Sequence, residues 1–154
     1  MEPLALLKRR AEQLGKDADA YLLELLAREA DPPERVEAYL AASDWFWREG
    51  LRLLSLGDLR QASEKIWNAV VQALKAYAEV TGLPHDSHRL IWAVVRRLAR
   101  DKPELITMFA AVEQLHINFY EGHLERGDIE ALLKAAESVR SHAVEMAKAA
   151  QRRG

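Results

Sequence analysis

Residues 115 to 124 read LHINFYEGHL, so His116, Asn118, Tyr120, Glu121 and His123 fall within eight residues. Histidine titrates near neutrality and is the commonest general acid or base. Glu113-x-x-His116 sets a carboxylate and an imidazole one helical turn apart. That spacing occurs in carboxylate di-iron bundles, which need a second such pair and two further glutamates. No second pair is present, so no di-iron site is expected. His85 and His88 have i, i+3 spacing, but one precedes the helix that carries the other and no third ligand lies nearby. No metal and no cofactor are therefore expected. There is no glycine-rich phosphate loop, no Gly-x-Ser-x-Gly and no His-Glu-x-x-His. The chain has no cysteine, which removes thiolate chemistry and disulfides. What remains for acid–base work is His116, with Arg140, His88 and Glu113 as candidate companions.

These residues must be positioned by helices. Proline and glycine sit only at plausible breaks, and no stretch alternates with period two. Asp31-Pro32-Pro33-Glu34 reads as a helix start with a capping box. Gly57-Asp58, Gly82 to Pro84, Lys102-Pro103 and Gly122 to Asp128 mark further stops and starts, with Asp128 capping the last helix. The predicted helices are 3–29 (bent at Gly15), 32–55, 58–81, 86–101, 103–121 and 128–151. The fold class is all-α: an antiparallel up-and-down bundle of five to six helices. Residues 1–30 read as an N-terminal extension on a bundle domain of residues 31–154.

At about 100° per residue, helix 58–81 is apolar over most of its surface, with Gln61, Glu64, Lys65, Asn68, Gln72 and Lys75 as a polar strip. Such a helix is expected to be central. On helix 103–121, Leu105, Phe109, Val112 and Phe119 form a stripe with His116 in its middle, Glu113 and Tyr120 beside it, and Gln114, Asn118 and Glu121 facing away. The plain reading of His116 is a hydrogen-bonded core histidine. Arg140 falls inside the apolar stripe of the last helix, where a guanidinium needs partners; Glu113, His116, His88, Ser63 and Tyr77 are the candidates. Arg89, Arg96, Arg97 and Arg100 share one face of helix 86–101 with no acid among them, a pattern that suits either solvent or phosphate. Lys8-Arg9-Arg10 and Arg152-Arg153 are possible continuations. Trp45 lies opposite the buried Phe46, beside Arg48 and Arg52. An aromatic on a polar face points to a second contact surface, covered by the N-terminal helix or by another subunit.

The bulk numbers set limits. A chain of 154 residues, 49% of them hydrophobic, can bury a core as one domain. The net charge of −2 leaves any nucleic-acid binding to a local patch. No apolar run reaches the roughly 20 residues of a membrane span, and the N-terminus is charged too early for a signal peptide. A soluble cytoplasmic protein is expected. Fifteen arginines against seven lysines and only two asparagines lean toward a hot habitat.

From Asp31 onward, DPPERVEAYL (31–40), GDLRQASEKIWNAVVQALKAYAE (57–79), HDSHRL (85–90) and LHINFYEG (115–122) resemble the archaeal PaREP family, small paralogous proteins related to the HEPN helical bundles. The resemblance implies an all-α, often dimeric bundle. The wider HEPN group includes RNases whose active site is an arginine followed, after four to six residues, by a histidine. No arginine stands at that distance before His85, His88, His116, His123 or His142. Activity of that type is therefore not expected. The positions matching the family are Gln61, Ser63, Glu64, Lys65, Trp67, His88, His116, Asn118, Tyr120 and Glu121.

Two classes of function follow. One is a non-catalytic homodimer that binds RNA, a nucleotide or a small protein, with Arg89, Arg96, Arg97 and Arg100 gripping the anion and the Trp45, Arg48 and Arg52 region joining subunits. The other is an enzyme acting on nucleic acid or nucleotides, with His116, Arg140, His88 and Glu113 converging in a polar pocket between subunits.

Overall fold

The computed structural model describes residues 2–154, and among them there is no strand. Seven helices follow in order: α1 (Pro3–Gln13), α2 (Ala18–Glu29), α3 (Pro32–Ser55), α4 (Leu59–Thr81), α5 (His88–Leu98), α6 (Leu105–Glu121) and α7 (Arg126–Arg153). The count exceeds the expected five to six because the first helix does not merely bend at Gly15. Gly15 takes a left-handed φ of 65° and ends α1, and the Asp17 carboxylate then caps α2 by accepting from Asp19 N and Ala20 N. No helix among the described residues is long and apolar enough to cross a membrane.

Side-chain caps set most of the other starts. Asp31, Asp58 and Ser87 each accept a backbone N–H at the head of α3, α4 and α5. The last helix begins earlier than Asp128: Glu125 is its N-cap residue, and Asp128, one turn in, accepts from Glu125 N at 2.8 Å. Helix α6 begins at Leu105, because Lys102 to Glu104 form a separate turn bonded back to Ala99.

α4 is the axis of the fold. α3 packs against it antiparallel, with Lys75 near Tyr39, Ser43 donating to the Ala69 carbonyl at 2.7 Å, and Ile66 against Gly50. α6 also runs antiparallel to α4, and α7 returns parallel to it. α5 covers the α4–α6 seam, where Trp92 meets Phe109 edge-on at 4.9 Å. The core that results includes Ile66, Val70, Leu74, Phe109, Val112, Leu115, Ile129 and Val139, all fully buried.

α4 is central, as expected, and its neighbours bury most of its polar strip. Glu64, Lys65, Asn68 and Gln72 are 3 to 8% exposed. Lys65 lies under α2 and holds Asp17 at 2.7 Å and Asp19 at 2.8 Å. Burial alone disfavours its charge, but the two aspartates outweigh that and hold the Lys65 ammonium above its usual range.

The α3–α4 crossing is close enough to exclude a methyl group. A Cβ on Gly50 would stand 2.7 Å from Ile66 Cγ1 and 3.2 Å from Ile66 N. By contrast, a Cβ on Gly127 meets nothing within 4 Å. Alanine gains up to about 1 kcal/mol over glycine in a helix interior, whereas overpacking costs about 1–3 kcal/mol. In chemical denaturation, Gly127→Ala is therefore expected to hold or raise stability. Gly50→Ala should lower it despite the better helix former.

Candidate functional site

Three helices bring two histidine–carboxylate pairs to the two sides of one tryptophan's surroundings. On α4, Glu64 is buried, at 3% exposure. Its carboxylate meets His116 Nδ1 of α6 at 2.9 and 3.2 Å. Three residues along α4, Trp67 stacks on the His116 ring, with centroids 5.3 Å apart and planes 23° from parallel. Trp67 also lies 6.2 Å from the ring of His88, the first residue of α5. His88 Nε2 meets Glu113 Oε1 of α6 at 2.7 Å, and Trp92 Nε1 donates to that same oxygen at 2.6 Å. Tyr120 closes one end, edge-on to His116 at 5.5 Å, and its hydroxyl donates to the Gly15 carbonyl.

The chemistry follows from which nitrogens are taken. Glu64 orients His116 through Nδ1 and leaves Nε2 for another partner; His88 Nε2 only approaches Glu113, without a hydrogen bond, and its side chain is largely exposed. A carboxylate behind an imidazole is the arrangement that fixes a tautomer and supports a charged ring. The Glu64 hydrogen bond raises His116 above the usual histidine range, against the opposing effect of burial. Burial raises Glu64 above the usual glutamate range, and the His116 bond draws it partly back. Among the described residues, no group of three or more histidine and carboxylate side chains is placed to hold a metal.

Several sequence expectations change here. His116 stands at the edge of the buried face of α6, not in its middle, with a side chain 36% exposed. The buried face continues instead through Leu115 and Asn118, because α6 is covered by α7 as well as by α4 and α5. Asn118, read as facing away, is fully buried. It donates to Ser63 Oγ at 2.9 Å and accepts from Leu124 N at 2.7 Å, tying the α6–α7 turn to α4. Arg140 does have inward partners, but they are not the expected ones. It donates to Ser43 Oγ at 3.1 Å, pairs with Asp44 at 3.0 Å and lies over the Trp47 ring at 5.2 Å, all on α3. The structure therefore joins His116, His88 and Glu113 around Trp67 and leaves Arg140 outside the group. Glu64, Trp67 and Trp92 complete it. Glu64 and Trp67 carried only the family resemblance as a signal, and Trp92 carried none.

Arg89, Arg96, Arg97 and Arg100 are exposed and form no ion pair among the described residues. Arg89, Arg96 and Arg97 continue round α5 from His88 and Trp92, whereas Arg100 lies beyond the helix, which ends at Leu98 and not at 101, in the turn that follows. Arg97 and Arg100 share a groove with Asp101 and with Arg153 at the end of α7. On α3, Trp45 is 43% exposed. It is not roofed by the N-terminal helices; Ala20 of α2 packs on the neighbouring Phe46 instead, and Lys65 Nζ sits 5.4 Å from the Trp45 ring. Arg52 is engaged with Glu49 in a forked pair, and Arg48 bonds its own helix at the Asp44 carbonyl.

A family model described as the Archaeal PaREP1/PaREP8 family matches residues 38–140. The chain belongs to this family. The PaREP1/PaREP8 match takes in both histidine–carboxylate pairs, Arg89, Arg96, Arg97 and Arg100, and Trp45. A crystal structure of a protein from Sulfolobus solfataricus is similar in fold, with a TM-score of 0.63 and 21% identity over 68% of this chain and 95% of that one. No match was found among curated proteins.

In this PaREP1/PaREP8 chain, folding raises the proton affinity of both His116 and Glu64, so the pair takes up protons on folding. The histidine's contribution is complete below its unfolded value of 6.5 and is lost as pH rises through its higher folded value. Solvent screening at a ring this exposed limits the effect to about 1 kcal/mol. The stability advantage of the native chain over His116→Gln should accordingly be largest below pH 6.5 and shrink above it, as read by urea denaturation across pH. An advantage that grows with pH would show that Glu64 does not hold the imidazolium.

Proposed function

We propose that this protein is a cytoplasmic, HEPN-like helical bundle that binds RNA through the arginine face of α5 and associates as a homodimer through the Trp45 surface of α3. The observation that carries the binding reading is the set of four exposed guanidinium groups, Arg89, Arg96, Arg97 and Arg100, none of them in an ion pair among the described residues, with Arg153 alongside and Asp101 as the one acid in the groove that Arg97, Arg100 and Arg153 share. Phosphate backbones are gripped by such groups, since the planar guanidinium matches two phosphate oxygens at once. The chain's net charge of −2 makes this local excess the more pointed, because it opposes the overall sign. A nucleotide or a small acidic protein would use the same side chains. The all-α architecture and the family membership support the HEPN-like reading.

A second reading is favoured by the two histidines beside Trp67, His116 held by Glu64 and His88 close to Glu113. On that reading, His116 and His88 act as general base and acid on a nucleic acid or nucleotide held by the neighbouring arginines. It ranks behind the first because the chain lacks the arginine–histidine spacing of HEPN RNases.

Fluorescence titration of single-stranded RNA across salt concentrations tests both. For the native chain, log affinity falls linearly with log salt. Replacing Arg96 and Arg97 with glutamine should flatten the slope by about 0.7 for each phosphate that is no longer neutralised. An unchanged slope would exclude the α5 face. RNA cleavage that disappears in His116→Gln and His88→Gln would promote the second reading over the first.

The association reading rests on the exposed Trp45 ring, which sits among Arg48, Arg52 and Lys65 on an otherwise polar face. Analytical ultracentrifugation should show a dimer that Trp45→Glu converts to a folded monomer. A native chain that sediments as a monomer would refute it.

A further inference from the structure

A cavity of about 440 Å³ opens between α2, α3 and α4 at the start of the α4–α5 connection. Its size lies within the range of small-molecule sites. It shares no lining residue with the grooves along the α5 arginines.

The charges in its wall are unevenly satisfied. Glu79 is engaged twice, by Arg35 at 3.2 Å and by His85 Nε2 at 2.8 Å. Arg35 also donates to the Ala30 carbonyl at 2.7 Å. Glu24 is held by Lys16 at 2.7 Å. Two cations and one carboxylate, Asp86, are left over. Arg28 of α2 forms no ion pair or hydrogen bond among the described residues. Lys75 of α4 likewise has neither, and rests only against the Tyr39 ring, 6.0 Å from its centroid. Lys75 is only partly exposed, on the most enclosed helix of the fold. Burial pushes its ammonium below the usual lysine range, while Glu24, Asp86 and Glu79 pull it up and Lys16 pushes it down. A lysine normally extends its head to water; one kept in a cleft without a partner gains most from a bound anion, which would offset the lost hydration.

We propose that this cavity binds a small phosphate monoester, with Lys75 and Arg28 holding the phosphate and the Tyr39 ring and Ala27 flanking the organic body. A guanidinium fork and a point-charge ammonium together suit one compact group with several oxygens. A dicarboxylate fits less well, because its second charge would meet Glu24, Glu79 or Asp86. The site is separate from the RNA surface proposed above and does not depend on it.

Isothermal titration calorimetry on the full chain tests this with glycerol 3-phosphate and AMP, against inorganic phosphate and succinate. A single saturable site is expected for at least one of the two esters, with succinate binding more weakly. Lys75→Met and Arg28→Gln should each weaken binding by about tenfold or more, the order of one charge-assisted hydrogen bond. Arg28 is exposed, so Arg28→Gln decides the matter if Lys75→Met does not fold. Arg96→Gln with Arg97→Gln should leave binding unchanged. The proposal is overturned if neither ester binds at millimolar concentration, if succinate binds as well as the esters, if Arg28→Gln has no effect, or if the α5 substitutions abolish binding. Those same α5 substitutions flatten the salt dependence of RNA binding if the earlier reading holds, so the two ideas fail separately.

Discussion

A helix wrapped on every side cannot leave polar side chains to water, and α4 is such a helix. Its strip of Glu64, Lys65, Asn68, Gln72 and Lys75 must be answered by the elements that enclose it. Each covering element supplies a different answer. α6 offers His116 to Glu64, and the N-terminal segment offers Asp17 and Asp19 to Lys65. α3 offers Lys75 only the face of Tyr39. Asn68 Nδ2 and Gln72 Oε1 end without a partner among the described residues. Buried polar groups are costly unless satisfied, so the strip fixes which neighbour must lie where. It also concentrates unusual electrostatics along one line of the molecule.

The candidate sites are consequences of that arrangement. Where α6 crosses the strip, a carboxylate that would otherwise be solvated is sealed behind an imidazole. Where α2 and α3 meet over its C-terminal half, they enclose a cavity with more cation than they neutralise. The α5 arginines belong to a different logic. α5 turns its apolar side to α4 and α6 and leaves its outer side free, so nothing in the fold constrains the three guanidinium groups there or that of Arg100 in the turn that follows. Structure accounts for the first two features; the last has no structural partner to explain it, which is why it bears the functional reading.

Local signals in the sequence located most of the helices. Gly82, Gly122 and the caps at Asp31, Asp58 and Ser87 act through their own backbone, so they are visible without knowledge of the fold. The wheel also identified Arg140 as a guanidinium that needed partners. It could not say which: a wheel gives the direction a side chain faces but not the helix that stands there, and Ser43 and Asp44 lie nearly a hundred residues away. The buried Asn118 was misread for the same reason, since a wheel assumes that polar means wet. The pairing of His116 with Glu64 rather than Glu113 shows the point most plainly. Glu113 is one turn away in sequence, yet the partner comes from another helix.

The bare backbone at Gly50 has a mechanical consequence. With no side chain between them, α3 and α4 touch where Ile66 sits, and a packed junction of this kind resists sliding as well as separation. The two longest neighbours in the middle of the chain thus behave as one stiff beam. Any flexing that admits a guest must come from the lighter pieces hung on its flanks: the short paired rods at the front of the chain, and α5 with its loops.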